Sequence, residues 1–461
     1  MQEHKTIQEY LDIVSEQIRW KRARPVVTME LKHHLIDQRD AFVAEGCPNA
    51  EQMAVEEMGD PVEVGIALDS VHRPKAQWGL LLLTIVLALV GSFLRVWLTA
   101  DWEYIYLDID PLRTVVAFIA GCGALLGGYF LDYTSLARHA GKIYLGALLV
   151  GLISLYFSPN INNASYYTRY VVLCYPVVYA VWLYVCRGKG WSGVLYALMG
   201  GVPLAVLCMA APYTLGILLL MVTGFVLFLV AASCDWFGLG KGKTLFVPLI
   251  GVFTGIVTSY SVLRESDRLW LRLENFLYPE RDPLGVGYMG VVTKKVLALT
   301  QWIGEGGMPV EFRDYPYEKA VPECGADLFF TTVIHRLGWL PFLVLVAAFA
   351  LLVGWILMRT LRQKSQFGKL LVVSVIASFV FRAVLSIALN LGYVLTSAGF
   401  PLLIGNLSMV LDMGMIGLVL SVFRGDGIAH NEKCFAPRKR LWIQSVFPDG
   451  VLISLESSEE Q

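Results

Sequence analysis

The chain has 461 residues, 56% hydrophobic and only 16% charged, with a formal net charge of −1. Soluble domains carry about 25% charged residues, so this balance points to an all-α polytopic membrane protein and away from a soluble enzyme. The near-zero charge argues against a nucleic-acid partner. Eight cysteines, with no CxxC pair or Cys/His cluster, show neither a zinc site nor a disulfide framework.

Residues 1–76 read as a separate helical unit on the cytoplasmic side. Apolar residues recur at helical spacing in Ile7, Leu11, Val14 and Ile18, and again in Leu31, Leu35 and Phe42. Gly46 and Pro48 punctuate the middle, Asn49 is a candidate cap, and a third helix runs through Met53 and Val55 to Met58. Asp60 and Pro61 have the form of a cap and first position for a fourth helix through Leu68. No apolar core of a cleavable signal peptide opens the chain. The run Glu57-Met58-Gly59-Asp60-Pro61 resembles the permease-prefix domains that precede membrane proteins of Gram-positive bacteria, which implies regulation or protein contact and no chemistry.

A bilayer core requires about 20 mostly apolar residues per helix. That criterion gives about ten spans within 77–424, near 78–99, 112–131, 142–158, 169–186, 192–211, 213–233, 244–262, 339–358, 370–392 and 399–423. Positive charge concentrates in alternate loops, at Arg138 and Lys142, at Arg187 and Lys189, at Lys241 and Lys243, and at Arg359, Arg362, Lys364 and Lys369. The positive-inside rule then puts both termini in the cytoplasm and the long segment 263–338 outside. Arg382 and Asp412 interrupt the last two spans. Such charges are costly in lipid and face the bundle interior, as an ion pair or along a proton or substrate path. The tail 425–461 is read as cytoplasmic, with Arg438, Lys439 and Arg440 suited to anionic lipid headgroups.

The segment 263–338 carries the chemistry. It is too long for a plain connection and too rich in Trp, Phe, Tyr and Gly for disorder. Its run from Arg272 through Phe276, Leu277, Pro279, Glu280, Asp282, Pro283, Gly285 and Gly287 to Tyr288 resembles the pattern R-x-x-x-F-L-x-P-E-x-D-P-x-G-x-G-Y of the SEDS proteins (shape, elongation, division and sporulation; the FtsW/RodA/SpoVE group). Gly304, Gly306 and Gly307 resemble that family's glycine cluster. Pro322-Glu323-Cys324-Gly325-Ala326-Asp327-Leu328-Phe329-Phe330 is similar to its P-E-x-x-T-D-F-I-F segment. The resemblance covers about 244–423. Departures are Ala326 for threonine, His335-Arg336 for two glutamates, Met289 for glutamine and a shortened Gly405-Asn406-Leu407-Ser408. The family's G-A-R-R-W and Q-P-S-E segments have no clear counterpart.

The resemblance implies a ten-helix glycosyltransferase of the bacterial cytoplasmic membrane. It would polymerise lipid II at the outer face in building cell wall for shape, division or sporulation, beside a class B penicillin-binding transpeptidase. It implies that Asp327 is the essential carboxylate. The physical reading is a general base whose pKa is raised by the apolar run Leu328-Phe329-Phe330. Arg272, Arg281, Lys294 and Lys295 are candidates for the pyrophosphate, and Glu323 for substrate or for orienting the loop. Lys294 and Lys295 also suit the wet side of an interfacial helix, and Arg272 a structural ion pair. Pro279, Glu280, Pro283, Gly285, Gly287 and Tyr288 are read as shaping the loop, proline by fixing φ and glycine by allowing positive φ. No cofactor is certain and no metal cage is legible, although a divalent cation such as Mg2+ could share the charge. The alternatives are a flippase or transporter using Arg382 and Asp412, or a catalytically silent scaffold for a transpeptidase.

Overall fold

The computed structural model describes residues 6–21, 23–74, 77–100, 102, 110–161, 164–211, 213–240, 267–321, 323–425, 440–447 and 450–456, with backbone alone at 161, 164, 267–269, 272–273 and 440–456. The chain divides into two units, 1–77 with 423–461, and 78–422.

In the first unit, α1 (Ile7–Gln17), α2 (Arg24–Ala44), α3 (Ala50–Met58) and α4 (Pro61–His72) surround a core of Tyr10, Leu11, Val14, Ile18, Leu31 and Leu35. Asp60 caps α4 by accepting from Val62 N at 3.4 Å. Asn49 stands at the start of α3, but its side chain makes no capping bond. Asp69 is buried and accepts from Arg19 N at 2.9 Å and from Arg73 Nη2 at 3.0 Å.

In the second unit, chain order gives α5 (Trp78–Thr99), α6 (Pro111–Phe130), α7 (Tyr133–Arg138), α8 (Ala140–Phe157), a minimal hairpin β1 (Asn160–Ile161) and β2 (Ala164–Ser165), α9 (Thr168–Leu173), α10 (Tyr175–Val185), α11 (Gly190–Ala210) and α12 (Thr214–Ser233). After the undescribed 241–266 come α13 (Asp267–Leu277), α14 (Tyr288–Leu297), α15 (Tyr317–Ala320), α16 (Phe329–Leu337), α17 (Trp339–Leu361), α18 (Gln366–Asn390) and α19 (Asn406–Arg424). Eight described helices are long and apolar enough to cross a membrane. The expected fourth span is broken at Cys174 into α9 and α10, with Pro176 in the first turn of the second piece, where its missing N–H costs nothing. The expected seventh span, 244–262, lies outside the described residues.

Burial ranks the helices. In α19, 72% of the apolar window is buried, against 17% in α6 and α8, so α19 is central and α6 and α8 carry the lipid-facing side. Helix α18 packs against α10, α12 and α17. Helices α6 and α19 cross at glycines: a Cβ on Gly128 would lie 2.7 Å from Gly414 O, so only a bare backbone fits. A second hairpin, β3 (Arg440–Phe447) with β4 (Gly450–Glu456), forms in the tail and adds strand to the all-α expectation. Arg438 and Lys439 lie outside the described residues.

Candidate functional site

The loop that bears Asp327 is fixed almost atom by atom. Glu323 stands at φ +52, a left-handed conformation uncommon for a residue with a side chain. That turn lets its carbonyl accept from both Ala326 N (2.9 Å) and Leu328 N (3.0 Å). Thr332 Oγ1 donates to Cys324 O at 2.8 Å, Arg95 Nε to Gly325 O at 3.1 Å, and Asn390 Nδ2 to Asp327 O at 2.9 Å. Asn390, the last residue of α18, also accepts at its amide oxygen from Thr331 N (2.8 Å) and Thr331 Oγ1 (3.1 Å). The start of α16 is thereby pinned to α18.

Behind the carboxyl the wall is apolar. Leu328, Phe329 and Phe330 are fully buried, and Phe330 meets Phe342 and Phe400 edge-on at 5.2 and 4.8 Å. Asp327 itself remains partly exposed. Burial against that wall pushes its carboxyl above the ordinary aspartate range, while the Ser397 hydroxyl hydrogen-bonded to it and the nearby Arg169 pull the other way. Glu323 is raised by burial and by the negative charge of Asp327, again opposed by Arg169. The charges of Asp327, Glu323 and Arg169 therefore act on one another across this part of the structure.

Arg169 reaches that site from α9. Its guanidinium lies over the rings of Tyr166 and Tyr170 at 4.3 and 4.8 Å and donates to Tyr170 Oη at 2.8 Å. Its Nε is buried and has no partner among the described residues. A planar fork with a donor unused, whose charge acts on both carboxylates, suits an oxyanion delivered with a substrate.

The other expected site residues fall elsewhere. Arg281 is paired with Glu274 and lies over the Tyr278 ring at 5.0 Å. Lys295 Nζ is 2.6 Å from Glu311, both well exposed. Lys294 sits over the Tyr393 ring at 4.7 Å. Arg272 falls within α13, and its side chain lies outside the described residues, as does Pro322. Glu280 and Pro283 are exposed, Pro279 is buried, and Tyr288 Oη donates to Ala320 O at 3.2 Å. The expectation that Gly285 and Gly287 supply positive φ is corrected: neither is left-handed. Space decides instead, since a Cβ on Gly287 would lie 2.7 Å from Asp282 O. His335 stacks flat on Tyr317 at 4.6 Å, and Arg336 lies 3.9 Å from Glu305, so both are engaged in loop packing.

Arg382 and Asp412 meet in the bundle interior. Nη1 to Oδ1 is 2.6 Å and Nη2 to Oδ2 is 3.2 Å, with side chains 1% and 0% exposed. The pair also holds the 399–402 segment, through Leu402 N to Asp412 Oδ2 (3.0 Å) and Arg382 Nη2 to Gly399 O (3.4 Å). Arg95, Arg169, Asn390 and Ser397 were not singled out from sequence. The first three were detectable as polar residues inside or at the ends of apolar spans, and Ser397 carried no signal.

No family model matches the chain. Among curated proteins it is similar to the probable peptidoglycan glycosyltransferases FtsW of Trichlorobacter lovleyi (24% identical, 40% of this chain and 47% of the relative), Thiomicrospira cyclica (24%, 66% and 80%) and Alkalilimnicola ehrlichii (26%, 76% and 82%). The match thus spans about half of the first relative and most of the other two. Among solved structures it resembles a chain of a peptidoglycan synthase complex that coordinates polymerization and crosslinking (TM-score 0.58, 20% identical, 76% of this chain and 98% of that one). It also resembles the rod shape determining protein RodA of Thermus thermophilus (TM-score 0.52, 18%, 76% and 97%), solved as well as an aspartate-to-alanine mutant. With the helical bundle and the two loop motifs, these likenesses support the resemblance of this multi-pass membrane protein to the SEDS family.

Proposed function

We propose that this protein is a peptidoglycan glycosyltransferase that polymerises lipid II, with the Asp327 face of the bundle on the outside of the cytoplasmic membrane and both termini inside. The observation that carries the reading is the site itself: a carboxyl of raised pKa on a partly exposed residue, its loop fixed at the carbonyls of Glu323, Cys324, Gly325 and Asp327, and an arginine whose charge acts on it.

In this mechanism the Asp327 carboxylate takes the proton from the acceptor sugar hydroxyl as that oxygen attacks the anomeric carbon of the donor. The bond from that carbon to the diphosphate oxygen breaks, and the undecaprenyl diphosphate leaves with the electron pair. Arg169 meets the charge that develops on the diphosphate, and its contacts with the Tyr166 and Tyr170 rings and its hydrogen bond to Tyr170 Oη hold the guanidinium in place so that little reorganisation is needed. Glu323 is held in its protonated form more strongly once Asp327 carries its charge, which leaves Asp327 as the base. Among the described residues no three His, Cys, Asp or Glu side chains gather as a metal site, so the cation considered from sequence has no assigned ligands. The likeness to a synthase complex supports a penicillin-binding transpeptidase as partner.

The test is conversion of fluorescent lipid II by the purified protein. A glycan ladder supports the reading. Lipid transport across liposomes without a ladder, sensitive to Arg382 and Asp412 and indifferent to Asp327, favours the transporter instead.

A further inference from the structure

Arg95 lies near the loop-side end of α5, is 8% exposed, and occupies a helix of otherwise apolar and small residues. An arginine at that depth costs several kcal/mol unless its donors are matched. Its described hydrogen bonds go to no carboxylate. Nε donates to Gly325 O at 3.1 Å and Nη1 to Asn406 Oδ1 at 2.9 Å, and Thr114 Oγ1 reaches the same amide oxygen at 3.5 Å. The guanidinium therefore stands on a platform made by α6 and α19 and spends one N–H on a backbone carbonyl two residues before Asp327.

From the opposite side, Asn390 on α18 holds the carbonyl of Asp327 itself. Two carbonyls two residues apart, drawn to different helices, define the direction of the Asp327 side chain. A peptide plane held at only one end can rotate. Asn390 is itself fixed by Thr331, and the bonds at Glu323 O and Cys324 O come from the loop's own neighbours, so Arg95 supplies an independent restraint from another helix.

We propose that Arg95 is a positioning residue for the general base, acting through the carbonyl of Gly325. The kinetic part rests on the glycosyltransferase reading, and the structural part does not. The experiment uses the full chain in nanodiscs and compares wild type, Arg95→Gln, Arg95→Lys and the lipid-facing control Phe93→Ala. Hydrogen exchange at Ala326 and Leu328, whose amides close the turn on Glu323, should quicken about tenfold or more in Arg95→Gln, as expected for losing a charged hydrogen bond, and stay at the wild-type rate in the control. Arg95→Lys should fall between. With lipid II, Arg95→Gln should lose about 10- to 100-fold in kcat while KM moves less than about threefold, the signature of a displaced catalytic group.

Unchanged exchange at Ala326 and Leu328 overturns the clasp whatever the activity. Quickened exchange with wild-type kcat overturns the positioning role. A raised KM with unchanged kcat overturns it too, assigning Arg95 to substrate. If Arg95→Gln fails to fold, Arg95→Lys decides by the same readouts. If no protein polymerises lipid II, wild type included, the functional reading fails while the exchange data still decide the clasp.

Discussion

Replacing Arg382 by Met leaves Asp412 fully buried with the Leu402 amide as its one remaining hydrogen-bond donor among the described residues, because both guanidinium bonds are gone. Breaking a buried pair from one side costs about 3–5 kcal/mol. Replacing Asp412 by Leu costs the same for the stranded guanidinium, and about 1–3 kcal/mol more for the Leu402 N–H that loses its acceptor. Replacing both removes the two charges together, which is neutral or favourable by about 1–4 kcal/mol and offsets the orphaned amide. The expected order is therefore wild type and double variant together, Arg382→Met below them, and Asp412→Leu lowest. The assay is the fraction remaining monodisperse by size-exclusion after graded heating in detergent, with a denaturant titration for free energies. Two results refute the reasoning: a double variant no more stable than the worse single one, or single variants within about 1 kcal/mol of wild type.

Because the Asp327 carboxyl is raised, polymerisation should fall away as pH drops through a value above the ordinary aspartate range; a rate flat down to about pH 4 contradicts this. The same shift costs stability: a raised folded-state pKa contributes below the unfolded value and is lost as pH rises, so Asp327→Asn should melt higher than wild type at neutral pH and match it in acid, as thermal scans at two pH values will show. Arg169→Met should lower turnover about 100-fold or more and move the acid limb to higher pH, with Arg169→Lys intermediate; pH–rate profiles read both. Asn390→Leu strands Thr331 N and frees the Asp327 carbonyl, which should destabilise by about 2–4 kcal/mol in denaturant titration.

Much of the architecture is written in local pattern. The helical spacing of Ile7, Leu11 and Val14 and the Asp60-Pro61 pair announce α1 and α4, and eight apolar runs match eight long helices. The break at Cys174 was legible in Pro176, which ends one helical run and starts another. The paired strands of the tail were legible too, in the alternation of Leu441 and Ile443 and of Val451 and Ile453, but a helical reading of the chain passed over them. The site is another matter. Asp327 and Glu323 sit in one motif, whereas the cation that faces them arrives from α9 and the hydroxyl from the segment after α18. Nearby lysines and arginines in the same loop were the natural candidates by sequence distance, yet Lys295 and Arg281 are engaged with Glu311 and Glu274. Convergence of that kind is set by helix packing, which no local period encodes.

Single-turnover measurement with Asp327→Asn is the sharpest probe of the base. Labelled lipid II should still bind, with affinity within a few fold of wild type, while the first glycosidic bond forms at least about 1,000-fold more slowly. Chain growth by Asp327→Asn at the wild-type rate would contradict the account.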